Sequence, residues 1–164
     1  MASGDTLVVF GAADNEPPAT AYATLDARNN HLVLDFDTTT QEASAFTAVM
    51  PQHYGGGGIT VYLHWAATSA TTGTIGWDVT FERLAAASQD LDSDGYATAQ
   101  TVTAATVDGT SGNVTVTNVA VTAGATGTDS VAAGDLFRLR VRRDVANDTA
   151  AGDAELLAVH LKET

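Results

Sequence analysis

The chain has 164 residues, 20 acidic against 7 basic side chains, a formal net charge of -13 and no cysteine. A field of that sign repels phosphate backbones and anionic membranes, so neither nucleic acid nor a membrane is an expected partner. The lack of cysteine excludes thiol nucleophiles, CxxC redox chemistry and thiolate metal sites.

The length suits a single domain. No run of about 18 apolar residues occurs, and the N-terminus lacks the basic and apolar regions of a signal peptide. A soluble protein without a secretion signal is therefore expected. Ala and Thr make up roughly a third of the chain, which with few long helix formers suits an all-β protein.

Residues 1–30 read as an N-terminal arm. Leu7, Val8, Val9 and Phe10 form a short apolar run, and Pro17 and Pro18 remove two amide donors from the turn-rich stretch behind it. This piece either lies on its own domain or reaches a neighbouring subunit. From residue 31 onward strands recur with turn signals between them. The candidates are Leu32 to Phe36, Ala43 to Met50, Ile59 to Ala66, Thr74 to Leu84, Thr98 to Ala104, Asn113 to Thr122, Asp135 to Arg143 and Ala154 to Lys162. Eight strands without a convincing helix predict an antiparallel jelly-roll sandwich over 31–164.

The clearest alternation lies between Ile59 and Leu84. Ile59, Val61, Leu63 and Trp65 share one phase, and Ile75, Trp77, Val79 and Phe81 share another. Both tryptophans are thereby assigned to the core. Leu84 to Ser88 reads as a helical turn or a continuation of the strand. Between Val116 and Val119 the valine phase shifts, which predicts a bulge near Asn118.

Several motifs point toward chemistry. Asp90, Asp92, Asp94 and Gly95 match the opening of a calcium loop, but the twelfth position is Thr101 rather than Glu and no helices flank it. A solvated acidic loop is the plainer account. Gly55 to Gly58 leads into a strand rather than a helix, so it reads as a turn and not as a phosphate cradle. His31, His53, His64 and His160 show no metal-ligand spacing, and Ser111 lies in a turn without the setting of a nucleophile. Asp78 and Glu82 share one strand phase, where paired carboxylates serve glycoside hydrolysis, but salt-bridged side chains are commoner. No enzymatic activity and no cofactor are expected.

Arg138, Arg140 and Arg142 occupy one face of a strand whose other face is Phe137, Leu139 and Val141. Three arginines in a row need counter-charges. Cross-strand carboxylates or another subunit could supply them.

Several phrases in order resemble a family of small structural proteins of tailed bacteriophages. They are Asn15-Glu16-Pro17-Pro18-Ala19-Thr20, Leu32-Val33-Leu34-Asp35-Phe36-Asp37, Leu63-His64-Trp65-Ala66-Ala67, the run from Ala133 to Asp144, and Asp153 to Val159. The resemblance implies a non-enzymatic jelly-roll cement or decoration protein. Such a protein would trimerise, bind the major capsid protein and stabilise the head from the outer surface of the capsid. On that reading Leu7, Val8, Val9 and Phe10 contact the capsid, and Arg138, Arg140 and Arg142 form the subunit seam. The alternative is a tail fibre or receptor-binding jelly roll that binds glycans, with Tyr54 and Tyr96 as its loop aromatics. A polysaccharide-degrading enzyme using Asp78 or Glu82 is the remaining rival.

Overall fold

A computed structural model describes residues 4–164. Ten strands form in chain order: β1 (Thr6–Gly11), β2 (Thr24–Arg28), β3 (His31–Phe36), β4 (Ala43–Val49), β5 (Ile59–Ala67), β6 (Thr74–Leu84), β7 (Gln100–Thr106), β8 (Thr115–Val121), β9 (Leu136–Arg143) and β10 (Ala154–Glu163). Two single 3-10 turns, Ala12–Asp14 and Val145–Asn147, complete the elements. No helix among the described residues is long and apolar enough to cross a membrane.

The strands build two antiparallel sheets packed as a jelly-roll sandwich. One has six strands in the order β2-β3-β10-β5-β8, with β1 also on β10; the other has four in the order β4-β9-β6-β7. Alternation along β5 and β6 aims Trp65 and Trp77 from opposite sheets into the same core, with ring centroids 5.9 Å apart. Phe36 meets Trp77 edge-on at 5.2 Å, and Phe10, Phe46, Phe81 and Phe137 continue the aromatic layer. Such contacts add to the burial that holds the sheets together. The Trp65 indole donates to Thr117 Oγ1 at 2.9 Å.

All eight expected strands form, with ends moved by at most two residues, and two more join them. β1 is one of these. It pairs with β10 and takes Leu7 and Phe10 into the core, so the described part of residues 1–30 belongs to the sandwich and is not a separate arm. A register shift between Thr6 and Val8 lets Leu7 and Phe10 face the same way, which hides the period-two pattern. β2 is the other. It lies at a sheet edge with almost every side chain exposed, and so carries no apolar alternation. Its signal was the Asn29-Asn30 pair, whose positive φ values of 48° and 66° close a two-residue hairpin to β3.

The bulge expected at Asn118 does not form. β8 pairs with β5 in unbroken register; Val119 and Val121 point inward while Val116 faces solvent. β-branched residues suit either face of a strand, so a valine need not mark the core. Residues after Leu84 form hydrogen-bonded turns from Ala85, not a helix.

Arg143 ends β9 out of phase with the other arginines and is fully buried. Its Nε donates to Asp148 at 2.6 Å, and Nη1 donates to the carbonyls of Phe36 and Gly152 at 3.0 and 2.9 Å. Replacing Arg143 by Leu strands the buried Asp148 carboxylate and should cost roughly 3–5 kcal/mol in urea unfolding. A second change, Asp148→Leu, should return a measurable part of that loss; full additivity of the two costs would contradict the pairing.

Candidate functional site

The outer face of the four-stranded sheet is an ion-paired layer. Register sets Arg138, Arg140 and Arg142 of β9 opposite Glu82, Thr80 and Asp78 of β6. Arg142 grips Asp78 with two bonds of 2.9 Å, and Arg138 Nε donates to Glu82 at 2.6 Å. Arg140 donates to Thr80 Oγ1 at 3.1 Å instead. Tyr96 lies across the row, 5.1 Å from the Arg138 guanidinium and 4.4 Å from that of Arg140. The cross-strand source of counter-charge is thus present within the chain for Arg138 and Arg142. Asp78 and Glu82 are buried and held by these arginines, an arrangement suited to structural ion pairs rather than to paired acid and base catalysis.

Other expected site residues fall in different places. Of the capsid-contact run, Leu7 and Phe10 are in the core, Val8 is half-buried against it and Val9 is 58% exposed. Only Val9 is freely presented to a partner. Asp90 turns its Oδ1 onto the Asp92 amide at 3.0 Å. No group of three or more His, Asp or Glu among the described residues is placed to hold a metal ion, so Asp90, Asp92 and Asp94 do not converge as a calcium loop would require. Tyr54 is buried, with its hydroxyl on the Gly57 carbonyl, and Tyr96 is half-buried; neither is an exposed loop-tip aromatic. The glycine run wraps the Glu163 carboxylate, which accepts from the Gly55 amide at 2.9 Å, and a Cβ at Gly55 would sit 2.8 Å from it.

A groove that sequence reasoning missed crosses the outer face of the six-stranded sheet. Its volume is about 410 Å³ and its lining comes from four strands, β2, β3, β5 and β10, and from two turns, at Asn29 and at Gly112 to Val114. Val33, Ala66 and Leu157 make an apolar floor, Val114 an apolar wall, and Arg28, Asn29, His31 and Glu155 the polar groups. Arg28 is fixed there: Nη1 donates to Glu155 at 2.6 Å and to the Ala67 carbonyl at 3.2 Å, while Nη2 lies 3.4 Å from Ser111 Oγ. Gly112 closes the side under Arg28. It has φ of 83°, and a Cβ there would come within 2.8 Å of Nη2. Farther along the same face Tyr62, His64 and His160 stand in neighbouring positions, with His160 bonded to Thr6 at 2.9 Å. Burial, then Lys162 and His64, lowers the His160 pKa. Such an apolar floor with a few convergent polar groups is the usual make-up of a ligand site.

The chain is similar in fold to a family 35 carbohydrate binding module from an environmental isolate, with a TM-score of 0.55, 9% identity, and coverage of 94% of this chain and 91% of that one. A second similar structure is the carbohydrate binding module CBM6cm-2 from Cellvibrio mixtus lichenase 5A in complex with cellotriose, with a TM-score of 0.47, 12% identity, and coverage of 98% and 99%. At these identities the likeness defines a fold, and the first comparison carries it. No family model and no curated protein matches the chain.

Beside the groove, Thr24, Asp35, Asp37, Glu42 and Asp153 line an acidic depression of about 140 Å³. Burial, then Asp153, Glu155, Asp26 and Glu42, pushes the Asp35 pKa from 3.8 to about 6. Asp37 goes the other way, to about 2, because Thr39 and Thr40 donate to it. The folded state therefore holds the Asp35 proton more tightly than the unfolded chain does. That contribution to stability is complete below about pH 4 and is lost as pH rises through about 6. Asp35→Asn should accordingly raise the stability at pH 8, by on the order of 1 kcal/mol once solvent screening is allowed for, and change little at pH 4. Chemical denaturation at the two pH values checks the sign.

Proposed function

We propose that this protein is a non-catalytic jelly-roll binding module whose cross-sheet groove takes a carbohydrate. The observation that carries the reading is the groove itself, an apolar floor flanked by Asn29, His31 and the immobilised Arg28. The carbon faces of a sugar ring match Val33, Ala66 and Leu157, and its hydroxyls match amide, imidazole and guanidinium donors. Likeness of fold to a carbohydrate binding module supports it. Net charge of -13 disfavours acidic polysaccharides, so a neutral glycan is the preferred class.

A second reading, a cement protein on the outer surface of a phage capsid, is favoured by a different surface. Val49 and Leu136 are cross-strand neighbours on the outer face of the four-stranded sheet, 57% and 39% exposed, beside the arginine row. An apolar pair bordered by charge is the composition of a protein contact. The two surfaces lie on opposite sheets, so one chain can bind a capsid lattice through one and present the groove through the other.

Screening of neutral glycans followed by calorimetry tests the first reading. Asn29→Gly, which keeps the left-handed backbone, and His31→Ala should each weaken a bound glycan by about 5- to 30-fold, the worth of one or two hydrogen bonds. Arg140→Glu should leave that affinity unchanged. Failure of every neutral glycan to bind, or binding indifferent to both groove variants, would refute the proposal. Co-sedimentation with capsid shells that lack the protein tests the second: saturation at a fixed ratio to the lattice supports it, and no binding removes it.

A further inference from the structure

Arginine pairing in this chain is nearly complete. Arg28, Arg83, Arg138, Arg142 and Arg143 hold Glu155, Asp135, Glu82, Asp78 and Asp148 respectively. Among the described residues Arg140 is the one arginine without a carboxylate, although acids exceed bases by 13. Its Nε rests on a neutral hydroxyl and its plane on Tyr96. Burial and the neighbouring Arg142 hold its pKa below the usual arginine value, the signature of a cation short of counter-charge. Toward the start of β9 the same face becomes apolar at Leu136 and Val49.

A complementary element lies in the loop between β6 and β7. Tyr96, near the end of that loop, is stacked on the arginine row, while Asp90, Leu91 and Asp92 turn outward. Leu91 is 82% exposed, the most of any large apolar side chain among the described residues. A leucine standing in solvent between two carboxylates has the make-up of a docking tip: an anchor with acidic shoulders. Leu136 and Arg140 are four positions apart, about 13 Å along the strand. A short tip and an arginine side chain can together span that distance.

We infer that the protein self-associates by inserting the Asp90-Leu91-Asp92 tip of one copy onto this face of another, with Leu91 against Val49 and Leu136 and an aspartate on Arg140. Each copy carries both halves of the contact, so two copies can pair reciprocally, or several can join head to tail into a ring or an open chain. The carboxylates that resemble the opening of a calcium loop thereby gain a role that needs no metal. Nothing in this contact involves the groove.

Sedimentation equilibrium of the full chain over about 1–200 µM tests the inference. The wild type should associate, in EDTA as well as without it. Arg140→Glu, Leu91→Ser and the pair Asp90→Arg with Asp92→Arg should each weaken association at least about tenfold while circular dichroism shows an unchanged fold. Joining the tip reversal to Arg140→Glu in one chain should restore it. A monomeric wild type, an assembly indifferent to the single changes, an assembly abolished by EDTA, or failure of the combined reversal to restore association would each overturn the proposal. Leu91→Ser, on an exposed loop, keeps the test decisive if a charge reversal impairs folding.

Discussion

The buried guanidinium of Arg143 is the constraint on which the join between the two sheets depends. A charge taken out of water is tolerated only when its donors are matched, and an arginine can match several at once in fixed directions. Here they reach Asp148 and the carbonyls of Phe36 and Gly152, and Nη2 lies 3.3 Å from Thr38 Oγ1. One side chain thus joins the end of β9 in one sheet to the end of β3 in the other, and folds the connection from Asp144 to Asp153 over the edge of the sandwich. That connection delivers β10. Asp153 then accepts from the Thr38 amide at 3.1 Å, and Glu155, two residues on, holds Arg28 in the groove. The groove is therefore shaped in part by a buried contact beneath the start of β10.

The two sheets meet water differently. Outside the four-stranded sheet, charges of opposite sign are paired in register along β6 and β9, and Tyr96 lies over Arg138 and Arg140. Outside the six-stranded sheet the residues are mostly uncharged, and a bulge between Leu156 and Ala158 lets Leu157 join the floor of the groove. Without it β10 would run flat across the face. One sheet thus carries a preformed concavity and the other a patterned surface, which suits a small ligand on the first and a protein contact on the second.

How much of this was legible follows from what each feature depends on. β5 and β6 could be read because their core-facing phase is uniformly apolar while the other phase carries mostly polar side chains. β1 could not, because its bulge breaks the alternation at Leu7. β2 is an edge strand with almost nothing buried, and its one local mark, the Asn29-Asn30 turn, went unread. Arg143 shows the same limit from the other side. Strict phase places it inward beside Phe137, Leu139 and Val141, yet arginine is so seldom buried that composition argues against phase. The counter-charges of Arg138 and Arg142 were legible as a need, but register alone decided that β6 supplies them. The groove was invisible because Arg28, Val33, Gly112 and Leu157 share no motif and meet only when four strands and two turns are brought together.

Acidity bears on one surface and hardly on the other. Five of the six arginines are neutralised by carboxylates within the chain, so the long-range field is that of the surplus acid almost everywhere. Two copies therefore repel one another at a distance, and under the inferred contact they would attract only where Arg140 and the apolar pair beside it come within reach. Salt screens both effects, the long-range repulsion as well as the local attraction, and its net influence on association has no fixed sign. Exchanging the charges is free of that ambiguity because it leaves the total nearly unchanged and alters only the local match. On the proposed reading a neutral sugar in the groove would feel neither effect. Its binding would rest on shape, apolar contact and a few hydrogen bonds, and a strongly acidic protein could retain it over a wide range of ionic strength.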